Sequence, residues 1–600
     1  MADPIYVIGI DLGTTNSIVA YTKATIEKGE SPEIQVFSVP QLTDAGTVEK
    51  RDVLPSFIYL ANPHELSNNT FSLPWENDSA VSVGEFARNR GEEVPQRMIS
   101  SSKSWLCNQM VDRNKAILPW GSADDVTKLS PVEASSRVLT HIRDAWNYEF
   151  AREDSSLAIE NQEIYLTVPA SFDAVARELT VQAANMAGLS HVTLLEEPQA
   201  AFYAWIDKKG DNWRENVMPG DMVLVCDVGG GTTDLSLIKV SDEEGSLVLD
   251  RVAVGNHLLV GGDNMDLALA YTVSAKMAEK GKKLDAWQMR GLGHSCRRAK
   301  EKLFSDSGEN TYPVTILGRG SSLIGGTLKT ELNLDEASRV IVDGFFPQCS
   351  MNERPKAVKT LGLKEIGLSY EADPAVTRHL AQFIGNRKKE DEGNSFPTAV
   401  LFNGGIMKAS PIRKRVLDVL SSWQEDQPDK AIRELKTEDF DLSVARGAAY
   451  YGLARRGRGI RIRGGLGRSY YIGVAASMPA VPGMPVPTKA LCVAPFGTEE
   501  GTSVRLPEKE FVLVVGEPVK FDFLGSSRRF DDTAGTIVEA WEDQIEEITT
   551  VEATLDGEYG TFVPVTIEVR VTEIGTLEFF CVSREDDRKW KLEFNVREKS

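Results

Sequence analysis

The sequence predicts an α/β unit over residues 1–457, a short basic linker over 458–465 and an all-β sandwich over 466–600. Three observations carry this. Strand and helix patterns alternate up to about residue 457, the mark of α/β architecture. Residues 455–468 then hold six arginines, five glycines and no acid inside a chain of net charge −21, a composition break that reads as a linker. Beyond 468 the helical period vanishes and short alternating runs follow, as in an antiparallel sandwich.

The first unit's strands are expected at Ile5–Ile10, Ile34–Val39, Glu163–Val168, Met222–Asp227, Leu235–Val240 and Ala399–Phe402. Apolar residues at helical spacing predict helices over Pro131–Arg152, Ala174–Ala187, Met265–Lys280, Trp287–Leu303 and Pro411–Trp423. Gly188 and Gly281 follow two of these, where a C-terminal cap often needs a positive φ. After the linker, strands are expected at Tyr470–Val474, Lys489–Ala494, Phe511–Val515, Val519–Phe523, Gly535–Trp541, Val565–Val571, Leu577–Val582 and Lys591–Val596. Turn residues separate several of them, as in Gly516-Glu-Pro and Asp556-Gly.

Six hundred residues exceed one core, since single cores stop growing near ~250–300 residues. The acidic balance argues against nucleic acid as a partner, because phosphate binding needs clustered cations. Residues 466–600 share it, with 14 Lys+Arg against 24 Asp+Glu. The six cysteines are scattered without a C-x-x-C pair, which argues against zinc and a disulfide framework. Reduced thiols and an N-terminus that enters a strand at once point to the cytoplasm. No apolar run reaches the roughly 18–20 residues of a membrane helix, so no membrane association is expected.

Chemistry concentrates in three places. The first is Asp11-Leu-Gly13-Thr14-Thr15-Asn16, directly after a strand. Glycines let backbone amides approach phosphate oxygens, the threonines add hydroxyl donors, and Asp11 can hold a hydrated Mg2+. The bland alternative is a plain hairpin turn. Two hundred residues later the pattern recurs as Asp227-Val-Gly229-Gly230-Gly231-Thr232-Thr233-Asp234. Two such loops facing each other would grip a polyphosphate and its metal from opposite sides, and chance duplication is improbable. The third is Asn403-Gly404-Gly405-Ile-Met-Lys408, whose glycines would let a nucleoside lie flat on the backbone.

In this order the three elements resemble the actin-like ATPase superfamily. Val168-Pro-Ala-Ser-Phe172, Leu195-Glu-Glu197-Pro-Gln-Ala-Ala201 and Gly255-Asn-His-Leu-Leu-Val-Gly261-Gly262-Asp263 are similar to the seventy-kilodalton heat-shock chaperone family in particular. Thr566–Phe579 also resembles a hairpin of that family's substrate-binding β domain. The resemblance implies two lobes with duplicated ribonuclease-H-like cores, lobe I at about 1–218 plus 443–457 and lobe II at about 222–442. It implies ATP/ADP as ligand, with Mg2+ and K+ as accompanying ions. Asp11, Asp227 and Glu197 would hold Mg2+, mostly through water, and Asp227 would accept a proton from the attacking water. Lys103 would orient that water and stabilise the γ-phosphate, with Thr232 beside it. Gly13, Thr14, Thr15, Asn16, Gly229, Gly230, Gly231, Thr233 and Asp234 would complete the phosphate site. Gly261, Gly262, Asp263, Arg297, Lys300, Gly404, Gly405, Lys408 and Asp441 would serve the nucleoside. Pro169 and Arg177 would form a hinge pair that senses nucleotide.

The chain departs from that family at the nucleoside end of the site, in one internal segment, in the linker and after the strands. Arg297 stands where an acid is usual, and Phe304 or Ser305 where a small hydroxyl is usual. Lys408 replaces a stacking arginine, and the two are not equivalent because only the guanidinium is planar. The alternative reading of Arg297 and Arg298 is a solvated helix face. Gly344-Phe-Phe-Pro347 has no familiar counterpart and reads as buried core first, as a docking site second. The linker is basic where the family's is acidic and leucine-rich, and no helical lid follows the strands. The function expected is an ATP-hydrolysing chaperone whose nucleotide state gates client peptide binding by the β domain, with a co-chaperone or nucleotide-exchange factor as partner. The alternative is a nucleotide-binding scaffold with little hydrolysis.

Overall fold

Tyr6–Leu12 (β1) is almost wholly buried and leads through a tight turn into Asn16–Lys23 (β2), its antiparallel partner. A computed structural model describes residues 3–592 except 26–32, 67–68, 78, 109, 124–125, 244–245, 306–307, 317–327, 357–367, 369, 391–395, 425–430, 438, 457–465, 467, 476–486, 497, 499–501, 527, 530, 572–576 and 587. The expected basic linker therefore lies outside the described residues. Two compact units emerge, residues 1–172 with 179–461, and residues 173–178 with 462–600.

The first unit is built on one sheet topology used twice. In its first lobe β1 pairs with β2 on one side and with Glu163–Val168 (β4) in parallel on the other. Gln35–Val36 (β3) and Val192–Glu196 (β5) complete the order β5-β4-β1-β2-β3. In the second lobe Met222–Val228 (β6) pairs antiparallel with Thr233–Glu243 (β7), which pairs antiparallel with Ser246–Val254 (β8). Ala399–Asn403 (β9) and Arg433–Leu435 (β10) add on in parallel, giving β8-β7-β6-β9-β10. Both lobes thus start with a hairpin and finish with two strands added in succession, in parallel, on the other side of the first strand.

Helices cover these sheets. Glu85–Glu93 (α1) and the four-residue Ser102–Trp105 (α2) belong to an insertion after β3. Pro131–Phe150 (α3) begins at a capping box of Ser130 and Glu133, with proline at the start. It brings Trp146 and Phe150 against Tyr6, Tyr21 and Phe37. Ala174–Met186 (α4) ends at Gly188, where φ is +84°. Glu197–Lys209 (α5) follows β5 directly. Gly262–Glu279 (α6), Ala286–Leu303 (α7), Leu334–Phe345 (α8), Val376–Glu390 (α9) and Ser410–Ser422 (α10) build the second lobe. Ser443–Arg455 (α11) returns to the first, where Gly9 admits it: a Cβ there would lie 2.2 Å from the Ala445 carbonyl oxygen. Phe345 and Phe346 are buried in the second lobe's core, so the Gly344–Pro347 segment offers no exposed aromatic pair. Among the described residues no helix is long and apolar enough to cross a membrane.

The second unit contains two antiparallel sheets. Ser469–Ala475 (β11), Thr488–Ala494 (β12), Ser503–Val515 (β13), Pro518–Ser526 (β14), Ile537–Val538 (β15), Glu546–Thr554 (β16), Thr561–Val571 (β17), Leu577–Ser583 (β18) and Lys589–Leu592 (β19) form the orders β15-β12-β11-β14-β16 and β13-β17-β18-β19. They share one core: Phe523 of the first sheet stacks on Tyr470 and meets Phe579 of the second edge-on at 5.3 Å. The expected strand Gly535–Trp541 shrinks to the two residues Ile537–Val538, and the acidic strand β16 has no counterpart among the expected strands. On the four-stranded sheet Val512 and Phe562 are exposed, as is Tyr559 in the turn that precedes β17.

Candidate functional site

Asp11 sits near the end of β1 and Asp227 near the end of β6, at matching places in the two lobes. Each is supported by the strand that pairs with it in parallel. Thr167 stands opposite Asp11 and donates from Oγ1 to its Oδ1 at 3.1 Å. Asn403 stands opposite Asp227 and donates from Nδ2 to its Oδ2 at 2.6 Å, its own Oδ1 accepting from Ser443 of α11 at 2.7 Å.

The loops that follow the two acids interlock. A Cβ on Gly230 would lie 1.9 Å from Thr15 Oγ1, and one on Gly231 would lie 2.7 Å from Ser104 Oγ. These glycines let the turns from opposite lobes touch. The start of α6 braces the second loop, with Gly262 N–H donating to Gly229 O at 3.0 Å and Asp263 N–H to Gly230 O at 2.7 Å. Gly404, at φ +86°, closes the third side, and a Cβ there would lie 2.4 Å from Val228 O.

Between these loops lies a cavity of about 760 Å3. Asp11, Gly13, Thr14, Thr15 and Asn16 line it from the first loop; Asp227, Gly229, Gly230 and Thr232 line it from the second. Lys103 and Glu197 enter from α2 and the start of α5, joined as an ion pair. Lys103 is held by an unusual backbone: Ser101, two residues earlier, has φ +55° and donates from Oγ to Asp263 Oδ2 of the other lobe at 2.7 Å. Such strain persists only where surroundings over-determine it.

Four expected site residues do not line the cavity. Thr233 is fully buried and its hydroxyl donates to Val260 O at 2.8 Å. Asp234 accepts from Ser171, which also bonds His257 Nδ1 at 2.7 Å. Gly231 and Gly261 pack behind the loop. Arg177 of α4 is buried, and Pro169 follows β4.

The distal end of the cavity differs from a solvated helix face. Arg297 lies between Asp263 and Asp266, its Nε 2.8 Å from Asp266, with its guanidinium 5.7 Å from the Phe57 ring. Arg298 is half exposed and pairs with Glu92 of α1 at 3.0 Å. Lys300 pairs with Asp266 at 2.7 Å and donates to Gly262 O at 3.1 Å. Lys408 pairs with Asp441. Gly405, Glu301, Phe304, Ser305, Arg413 and Phe440 complete the lining. Arg413 and Phe440 carried no sequence signal, because nothing local marks them as neighbours of the glycine loops.

The electrostatics are lopsided. Burial pushes the Asp11 carboxyl up to about 7, with Glu197 adding to the rise and Lys103 opposing it. Asp227 is raised well above the carboxylate range by burial and then by Glu197, against the Asn403 hydrogen bond. Glu197 and Asp234 are raised by burial too, each opposed by Lys103. Burial would lower Lys103, but Glu197 and Asp11 outweigh it and hold the ammonium charged. One cation among four buried carboxylates leaves an excess of negative charge that a divalent ion would relieve. Among the described residues no three acidic, His or Cys side chains converge as direct ligands. The donor set therefore suits a hydrated ion, which Mg2+ usually remains.

A duplicated sheet whose two first strands each end in an aspartate and a glycine loop, closing on a shared cavity, defines the actin-like two-lobed ATPase fold. A family model described as "Hsp70 protein" matches residues 7–321. The chain belongs to the Hsp70 family. It is similar to the chaperone protein HscA of Enterobacter sp. (31% identity over 275 residues, 44% of this chain and 36% of that protein). It is also similar to HscA homologues of Burkholderia multivorans (31% over 321 residues, 52% and 43%) and Chromobacterium violaceum (30% over 343 residues, 55% and 45%). These matches span less than half the length of the relatives.

Proposed function

We propose that the chain binds ATP and ADP with Mg2+ in this cavity, hydrolyses ATP slowly, and lets the nucleotide state of residues 1–457 gate client binding by the β-sandwich of 466–600. The observation that carries the reading is the convergence of both aspartate–glycine–threonine loops on one cavity of about 760 Å3, beside the Lys103–Glu197 pair. A triphosphate would meet the amides and hydroxyls of Gly13–Thr15 and Gly229–Thr232, with Lys103 against its terminal group. Asp11, Asp227 and Glu197 would hold hydrated Mg2+, which supplies charge neutralisation on the phosphates. Asp227, raised by burial, suits acceptance of a proton from an attacking water. Catalysis of this type rests on positioning and electrostatics, so no covalent nucleophile is required.

The client reading is supported by the family and by the exposed Val512, Tyr559 and Phe562 of the second unit. An unfolded or specific client polypeptide, a co-chaperone or exchange factor, and a cytoplasmic setting follow from it. A second reading, a nucleotide-binding scaffold with little turnover, draws on Asp234 being engaged by Ser171 and Arg297 by two acids. Steady-state hydrolysis of the chain beside Asp11→Asn and Lys103→Ala decides between them. Turnover lost in both variants supports the chaperone ATPase; ADP binding without turnover in the parent supports the scaffold.

A further inference from the structure

Glu196 and Glu197 are consecutive acids at the corner where β5 becomes α5, and they are held from opposite lobes. Glu197 pairs with Lys103 of the first lobe. Glu196 occupies the N-cap position of α5 yet makes no capping hydrogen bond. It forms instead an ion pair with Arg251 of β8, in the second lobe, and both side chains are more than nine-tenths buried. β5 and β8 are the edge strands of their respective sheets. The β7–β8 register slips where Leu237 faces Ala253 and Ile238 faces Arg251. A bulge of this kind re-aims a side chain.

We propose that Arg251 is a positioning residue for the nucleotide site: by holding Glu196 across the cleft, it fixes the corner that presents Glu197 to the cavity. The inference rests on the nucleotide reading above. Glu197 is set relative to Lys103 through the first lobe. Its distance from Asp227 depends on the second lobe, to which Arg251 ties this corner directly. A buried carboxylate deprived of its cation is strongly disfavoured. Removing Arg251 alone therefore drives Glu196 toward solvent and takes its neighbour with it.

The test is calorimetric titration of the full chain with ADP, with and without Mg2+, together with its melting temperature. Arg251→Met is expected to reduce the Mg2+-dependent gain in ADP affinity roughly tenfold, the lower end for outer partners of metal-binding groups. Affinity for ADP without Mg2+ should stay at the parent value. Arg251→Lys, which keeps the charge, should restore most of the gain. The double change Glu196→Leu with Arg251→Met leaves no buried charge unpaired and should recover the melting temperature while the Mg2+ effect stays reduced. It also carries the test if the single variant does not fold. Recovery of the Mg2+ effect in the double variant overturns the proposal, because the pair would then only balance charge. An unchanged Mg2+ effect in every folded variant does the same. A parent chain that binds no ADP removes the nucleotide reading itself; one that binds ADP equally with and without Mg2+ keeps that reading and overturns only this proposal.

Discussion

Buried histidines give the sharpest prediction about single residues. His141 of α3 lies 3.0 Å from Pro40 O, and burial pushes it down to about 4. His294 of α7 falls to about 4 by burial and then by Arg297. The folded chain keeps both rings neutral where the unfolded chain, near its ordinary 6.5, takes up protons. Stability is therefore lost as pH falls from about 6.5 to about 4, by at most about 3 kcal/mol for each ring. Asp11 works in the opposite sense, since a raised carboxyl loses stability as pH rises toward about 7. Comparing thermal melts of the parent and His141→Gln over this range isolates the histidine: the variant should show a flatter acid limb, and an equal slope would refute the assignment. The residues legible in the sequence were those whose chemistry is local. Asp11 and Asp227 announce themselves through the glycines and threonines beside them. Arg297 is a site residue by resemblance and lines the cavity, but its pairing is not legible, because the acids that hold it, Asp263 and Asp266, lie on another helix. Thr233 also misled, since a hydroxyl inside a phosphate-type loop can turn to a backbone carbonyl instead.

Helices with strong end signals were read almost to the residue. Apolar spacing places the start of α3 at Pro131, where the structure shows a proline and a capping box, and Gly188 and Gly281 both adopt the positive φ expected after helices. Strands fared unevenly. The run Ile34–Val39 splits between β3 and Val39–Asp44, and Glu546–Thr554 escaped because its outward side chains are mostly acids and threonines. Close helix packing was also invisible. Gly447 of α11 faces α5 so tightly that a Cβ would lie 1.7 Å from Ala200 O. Alanine would favour an isolated helix by about 1 kcal/mol, yet here it must push two backbones apart. Gly447→Ala should lower stability by about 1–3 kcal/mol in chemical denaturation. A stabilised variant would mean that α5 and α11 can separate freely.

The first unit uses one sheet topology twice: the order β5-β4-β1-β2-β3 recurs as β10-β9-β6-β7-β8, strand for strand. Alternation of strands and helices suggested α/β architecture, and the repeated loop suggested duplication. The pairing itself needed coordinates, since β9 joins β6 across some 170 residues of chain. Thr167 and Asn403 occupy corresponding places, each on the parallel neighbour of its lobe and each donating to its aspartate. Changing Thr167→Val and Asn403→Leu separately should weaken Mg2+-dependent ADP binding in both cases. The loss should be greater for Asn403, whose bond to its acid is the shorter. Equal losses, or none, would contradict this. Such a molecule carries its own replicate: an alteration made on one side has a natural control on the other, so the division of labour between twin halves becomes something to weigh inside a single polypeptide.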